Sequence, residues 1–425
     1  MLERIFAKKD LSSYQDFAKY QKYLITCDDK KIQKAVKGFE RTGRDVRILT
    51  EPQNNMLSNR LEHNYHLSNK KALFYNLKLY FDCLKQDAFE HIPVTFHIKE
   101  GTSDPEYQEF LTYYKNKKAK IKMQEEQERN GETIKKSAKL RNIWIVKPGE
   151  YSNRGNGITV YSSLKGIKSE VNSKQVRKDG KLRTFILQEY IDRPLLFKKR
   201  KFDVRCFMIM TSINGYQKGY WYEEGYIRTS SENFSMRDLE NRYVHLTNDA
   251  VQKHSDDYGK FEYGNKISFS DFNRYLSQTY PDKNLDFQKD FVSQMKTKAA
   301  HALKSVYGKI DPHKRQNCFE IFGLDFMIDR DFKTWLIEIN TNPCLETSSP
   351  LLVRLIPQLV ENAFRLAVDP VFPPPIPWPK QKKFIYKDRI LETNRFSIIF
   401  DEREDGEFLR KLYQTNPHYK SKNIG

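Results

Sequence analysis

Hydrophobic and polar positions change rhythm several times along the chain. Leu73, Leu77, Leu79 and Leu84, with Tyr80 and Phe81 between them, recur at helical spacing. They predict a helix within a mixed α/β region over residues 1–100. From Tyr114 to Arg141 the text KNKKAKIKMQEEQERNGETIKKSAKLR is charged and nearly free of aromatics. It predicts a linker or loop at about 114–141, with an exposed helix as the alternative. Aromatic and β-branched runs follow, IWIVK, TFILQEYI, VRCFMIM, YWYEEGYIR and TWLIEI, and these predict strands. At 370–379 the run PVFPPPIPWP must be extended, because each proline fixes φ and lacks an N–H. It is expected to close the folded core at about residue 372. Residues 373–425 then form a Pro-rich boundary and a charged, basic, loosely attached tail.

Composition narrows the classes. With 38% hydrophobic and 13% aromatic residues the chain can bury a sizeable core, which excludes wholesale disorder. No apolar run approaches the ~20 residues of a membrane span, and no secretory or transit peptide is evident. The five cysteines are scattered without a C-x-x-C pair, so a disulfide framework or cysteine zinc site is not expected. His63 and His66 read as ordinary surface or packing residues. Lys and Arg number 74 against 55 Asp and Glu, a net charge of +19. Such an excess favours a polyanionic partner: nucleic acid, an anionic membrane or an acidic protein segment.

Four constellations could carry chemistry. In FEIFGLDFMID and TWLIEIN, alternation sets Leu324, Phe326 and Ile328 on one face and Trp335, Ile337 and Ile339 on another. A hairpin centred on Asp331–Phe332 places Phe326 opposite Ile337, Ile328 opposite Trp335, and Asp325 opposite Glu338. Asn340 follows on the same face as the two acids. Like charges directly opposite are unfavourable in a sheet. Two carboxylates and an amide together suggest a magnesium site; the bland alternative is a hairpin with solvated acids. Next, Lys147 ends a strand before PGEYSNRGNGI, an arrangement that delivers a point charge and backbone N–H groups to phosphate, although such glycine turns are often only turns. Third, Gln188-Glu-Tyr-Ile191 ends an apolar strand and could bond a purine edge through its backbone. Lys201, Asp203 and Arg205 then alternate onto one strand face, which suits phosphate handling or a surface salt bridge equally. Last come Arg228 in YIRTSS and Thr247-Asn248 in HLTN, which gain interest only by association.

The order of these motifs resembles the tubulin–tyrosine ligase family of the ATP-grasp superfamily. The resemblance runs from NRLEHNYHLSNKKALFYNL near Asn59 to about Phe372 and includes QEYIDRPLL, KFDVR, EGYIRTSS, VHLTNDAVQK and DYGKFEYGN. It implies an α/β (α+β) ATP-grasp fold in three lobes: residues 1–100, a central domain at 101–200 and a catalytic domain at 201–372. The implied activity is an ATP-dependent carboxylate–amine ligase that adds a free amino acid to an acidic tubulin tail through an acylphosphate. The implied cofactors are ATP and Mg2+, with Asp325, Glu338 and Asn340 on the metal. Lys147, Gln188, Glu189, Tyr190, Ile191, Lys201, Asp203, Thr247 and Asn248 would contact nucleotide, and Lys147, Arg205 and Arg228 would be catalytic. Lys85 is the nearest candidate for the family's upstream lysine. Tubulin or microtubules would be the partner, rather than nucleic acid or a membrane, in the cytoplasm on the cytoskeleton or a cilium. The YGKFEYGN stretch favours tyrosine as donor slightly, with glutamate or glycine as alternatives. A catalytically silent basic microtubule-binding protein and a ligase for a small acid are the rival readings.

Overall fold

Two antiparallel sheets carry the chain in the computed structural model, which describes residues 57–134, 139–150, 155–173, 175–176, 180–314, 317–372 and 393–414. The sequence readings of residues 1–56, of 151–154 in the glycine segment and of 373–379 in the proline run lie outside the described residues. The architecture is of the α+β class expected.

The smaller sheet has the order β1 (Thr95–Ile98), β4 (Phe185–Glu189), β2 (Trp144–Pro148), β3 (Thr159–Tyr161). Phe96, Ile98, Trp144, Val146 and Leu187 bury against Tyr107, Phe110 and Tyr114 of helix Pro105–Arg129. That helix corrects the expected linker at 114–141: the described chain is helical as far as Arg129. Asp104 caps it by accepting from the Glu106 N–H at 2.9 Å, and Pro105 occupies the first position. From 106 to 129 the residues include neither Gly nor Pro and are dominated by Lys, Glu and Gln, which are good helix formers. Only its first turns touch a core, so the remainder stays polar all round and carries no periodic signal.

The larger sheet has the order β11 (Thr334–Thr341), β10 (Cys318–Ile328), β6 (Arg200–Ile213), β7 (Tyr216–Tyr222), β12 (Phe396–Asp401). The strands β5 (Leu196–Phe197) and β8 (Tyr226–Asn233) also pair with β6, and β9 (Lys266–Ser268) pairs with β8. Strand β6 explains the placement of the site. On one face Phe202, Val204, Cys206, Met208 and Met210 are buried in the core with helices Lys70–Leu84 and Ser293–Ser305. On the opposite face Phe207 and Ile209 are covered by helix Pro350–Ala367 through residues such as Leu355 and Leu359. That same face is polar at Lys201, Asp203 and Arg205. Apolar cover therefore stops where the charged row begins.

Two expectations need correction. Asp325 does lie opposite Glu338, but a bulge follows, so that Phe326 faces Leu336 and Ile328 faces Thr334. The extra residue in β11 turns Leu336 and Ile339 into the core and leaves Trp335 and Ile337 half-buried. The tail, too, is not loosely attached over its described part. Phe400 packs into the core from β12, and Leu409 and Tyr413 do so from helix Glu402–Gln414. A six-residue strand and one helical stripe are enough to anchor a segment that reads as charged on average.

Candidate active site

Backbone register assembles the charged row. In β6, residues 201, 203 and 205 share a face because successive side chains alternate. Across the sheet Asp203 pairs with Arg228 of β8, Arg205 with Asp325 of β10, and Asp325 with Glu338 of β11. Arg228 in turn faces Lys266 of β9. Paired residues project to the same side, so one sheet face gathers these groups from five strands.

The contacts are short and buried. Arg228 donates through Nε and Nη2 to the two oxygens of Asp203, both at 2.7 Å, and Thr247 Oγ1 donates to Asp203 Oδ2 at 2.6 Å. Arg205 donates through Nε and Nη2 to Asp325 at 2.6 and 3.1 Å. Arg228 Nη2 also reaches Asp325 Oδ2 at 2.9 Å. Burial by itself would raise the Asp325 pKa, but the two guanidiniums outweigh it and hold the carboxyl well below the usual carboxylate range. Charge-assisted forks of this kind fix geometry as well as energy.

The lysines sit differently. Lys147 Nζ donates to Gln188 Oε1 at 2.7 Å, and Gln188 Nε2 to Thr95 Oγ1 at 2.9 Å. Burial lowers the Lys147 pKa to about 8, opposed by Glu338. Lys201 Nζ donates to Tyr190 Oη at 3.1 Å and to the His245 carbonyl at 2.8 Å. Burial lowers its pKa to about 7, opposed by Asp203 and reinforced by Lys147. Tyr190 and His245 are joined at 2.8 Å through His245 Nδ1.

Of the residues singled out by sequence, Asp203, Arg205, Arg228, Thr247, Asp325, Glu338 and Asn340 form one contact network, and Lys147 with Gln188 and Lys201 with Tyr190 form two further hydrogen-bonded groups that interact with it electrostatically. Glu189 is not brought in: its side chain turns to Tyr113 and Lys117 on the helix Pro105–Arg129. Ile191 follows at the end of β4, half-buried. Asn248 lies beside the glycine turn, where a Cβ on Gly155 would meet its Nδ2 at 3.4 Å. Gly155 and Gly157 both have positive φ, at 74° and 70°, so this turn requires glycine. Lys85 is exposed, in the left-handed region at the C-terminal end of helix Lys70–Leu84. It is Lys70, at the other end of that helix, that reaches Glu338 Oε2, at 3.4 Å. Sequence reasoning missed Lys70, Thr95, His245 and Lys266. A register argument extended from Arg228 to β9 could have found Lys266; nothing in the local sequence marks Lys70.

Like charges at Asp325 and Glu338 do not by themselves demand a metal, because Arg205, Arg228 and Lys70 already supply cations. The donor set nevertheless fits magnesium. Asn340 Nδ2 lies 3.4 Å from Asp325 Oδ2 and 3.2 Å from Glu338 Oε1, so two carboxylates converge on one amide, whose oxygen is a third hard donor. Among the described residues no group of three or more His, Cys, Asp or Glu could hold a metal. The site is thus not an all-acid cage, and magnesium here would need further oxygens from a bound phosphate. Two cavities of about 720 and 700 Å³ lie elsewhere, one by Glu224, Asp271 and Arg354, the other by Lys118, Arg141 and Ser163. Convergent buried charge, rather than cavity size, identifies this site.

Known proteins resemble this chain over much of its length. The sequence model described as Tubulin-tyrosine ligase family matches residues 48–376. Tubulin glycylase 3B of Tetrahymena thermophila is 34% identical over 251 residues, covering 56% of this chain and 20% of that protein. Protein monoglycylase TTLL8 of Homo sapiens is 34% identical over 235 residues, 54% of this chain and 26% of that protein. The Probable alpha-tubulin polyglutamylase Ttll1 of T. thermophila is 30% identical over 288 residues, 66% of each chain. The chain thus spans about a fifth of the length of the Tetrahymena glycylases it matches. Relatives named for glycine and glutamate transfer give the expectation of a tyrosine donor no support.

Proposed function

This chain belongs to the tubulin–tyrosine ligase family, and from that premise and the charged row we propose that it is an ATP-dependent ligase that joins an amino acid to an acidic tubulin tail. The observation that carries the reading is the continuous buried network Thr247–Asp203–Arg228–Asp325–Arg205, flanked by two lysines whose charge is destabilised by burial. A structural ion pair would need neither lysine.

In this reading Lys147 and Lys201 neutralise phosphate oxygens of the nucleotide, and the end of β4 at Tyr190–Ile191 offers backbone groups to its base. Asp325, Glu338 and Asn340 would hold magnesium, which supplies Lewis-acid stabilisation of the transferring phosphoryl group when bound. The acceptor carboxylate attacks the γ-phosphorus; its oxygen bonds to phosphorus as the bond to ADP breaks, giving an acylphosphate. The donor's amine then attacks the acyl carbon, loses a proton and expels phosphate to form the amide. Arg205 and Arg228 are fixed from behind by Asp325 and Asp203 and stabilise the anionic oxygens of both steps. The +19 excess draws an acidic tail towards a site that also binds a polyanion.

We assign the donor as glycine or glutamate, on the names of the relatives. The test is incorporation of labelled glycine, glutamate and tyrosine into purified tubulin with ATP and magnesium. Incorporation of tyrosine alone would overturn the donor assignment. No incorporation of any amino acid, with tubulin still bound, would favour the catalytically silent microtubule-binding protein instead.

A further inference from the structure

The connection between β5 and β6 is two residues long, closed by the pair Phe197 and Arg200. Its residues are Lys198 and Lys199, with φ of 45° and 65°. Such a hairpin turn favours Asn-Gly, because both positions lie in the left-handed region where a Cβ is unfavourable. Two lysines occupy it, both exposed. Among the described residues neither ammonium forms a salt bridge, and Lys198 Nζ merely overhangs the Phe197 ring at 5.4 Å. The backbone thus holds two unpaired cations outward at positions that folding alone would give to other residues.

A second loop converges on the same spot. Glu262 is extended, with φ −133° and ψ 143°, and its carboxylate turns inward to Arg200 and to Thr229 Oγ1 at 3.2 Å. Phe261 and Tyr263 on either side of it stand outward, 56% and 69% exposed. Asn265 fastens the loop from behind, donating to the Thr229 carbonyl at 3.1 Å and Ser231 Oγ at 3.0 Å. The Phe261 ring lies 4.5 Å from the Arg200 guanidinium. Arg200 therefore ties the two loops together: its backbone closes the lysine turn, while its side chain pins Glu262 and carries Phe261. Lys260 adds no net charge, since it pairs with Asp257 at 2.8 Å.

We propose that Lys198, Lys199 and Phe261 form a docking patch for the acidic peptide that carries the acceptor carboxylate. The assignment rests on the ligase reading. Charge complementarity selects the occupant: two unpaired ammoniums beside a rigidly held aromatic suit an extended acidic chain, with the ring covering its backbone or an apolar residue. The patch also leads inward. Lys199 is two residues, or ~7 Å of strand, from Lys201, and the second loop runs into Lys266, which faces Arg228 across the strands.

The experiment uses the full chain, a fluorescent glutamate-rich peptide and a glutamine peptide of equal length. The double substitution Lys198→Asn with Lys199→Gly installs the pair that the turn prefers, so its melting temperature should equal or exceed the parent's. We expect it to weaken the acidic peptide by about 3–10-fold, as for two exposed charge pairs, and to leave the glutamine peptide's binding unchanged. Phe261→Ala should weaken the acidic peptide by a similar factor. Acidic-peptide binding within twofold of the parent in both variants would overturn the patch, even if the parent ligates amino acids. If the parent binds the peptide, the variants lose it, and no amino acid is ligated, the patch stands and the ligase reading fails.

Discussion

Glu338→Gln separates a metal ligand from a structural acid better than any other substitution in the row. Its carboxylate is 29% exposed and, among the described residues, its close polar contacts are Lys70 at 3.4 Å and Asn340 at 3.2 Å. An ion pair with that much solvent is worth at most ~1 kcal/mol, so the melting temperature should move by no more than about 3 °C. Loss of one anionic metal ligand at a phosphoryl-transfer site removes several kcal/mol of transition-state stabilisation; about 4 kcal/mol is ~10³-fold in rate. The position thus predicts a large kinetic effect with a small thermal one. Asp325→Asn would not discriminate, because it strands two buried guanidiniums and costs about 3–5 kcal/mol of stability. The assay is ligation of labelled glycine and glutamate at saturating ATP and acceptor, across a magnesium titration, beside thermal melts and acceptor binding. A variant that melts like the parent and works within about tenfold of it would refute the metal assignment and return Glu338 to an ordinary edge-strand acid.

Nucleotide binding should depend on pH through the two buried lysines. Their pKa values of about 7 and 8 lie below the ordinary lysine value of 10.5, so the folded chain binds fewer protons than the unfolded one between those limits. The lysines therefore add stability as pH rises through that window and cost it in full below about pH 7. A phosphate chain favours the protonated form, so nucleotide affinity should fall from pH 7 to 9, with proton uptake on binding measurable calorimetrically in two buffers. Lys201→Met should flatten much of that profile, and a parent profile that is already flat would contradict the placement of phosphate there. In β12, Phe400→Ala should cost about 3–5 kcal/mol in urea unfolding, as for a buried aromatic. A loss below about 1 kcal/mol would mean that the segment contributes no core.

How much of the fold and site is legible in the sequence depends on whether the determinant is local. Alternation within β6 is enough to put Lys201, Asp203 and Arg205 on one face; Asp325 does lie opposite Glu338, but only because the bulge at Ile337 offsets a hairpin centred on Asp331 rather than between Asp331 and Phe332. Pairing partners across the sheet are not legible: nothing near Arg228 announces that it will grip Asp203, 25 residues earlier, and Asp325 together. Lys70 reaches Glu338 only because its helix packs beneath the far end of the sheet. The bulge at Ile337 and the long helix after Asp104 escape sequence reasoning for opposite reasons. One breaks a period that is otherwise regular; the other has no apolar period to read beyond its first turns.

The distribution of cations within the row argues for what it binds. Lys70, Lys147, Lys201, Arg205 and Arg228 face three carboxylates, Asp203, Asp325 and Glu338. The arginines are committed to the carboxylates through planar forks, a geometry that lysine cannot reproduce. Lys147 and Lys201 instead rest on an amide, a hydroxyl and a carbonyl, and among the described residues neither forms a salt bridge with a carboxylate. A buried ammonium without an anion is expensive, and the lowered pKa values express that cost. A fold stabilised for its own sake would have apolar residues at both positions. In the proposed reading that cost is offset when an anion with several oxygens reaches both lysines at once, and a nucleotide's phosphate chain has that form; Asp325, Glu338 and Asn340 would then take the metal that accompanies it.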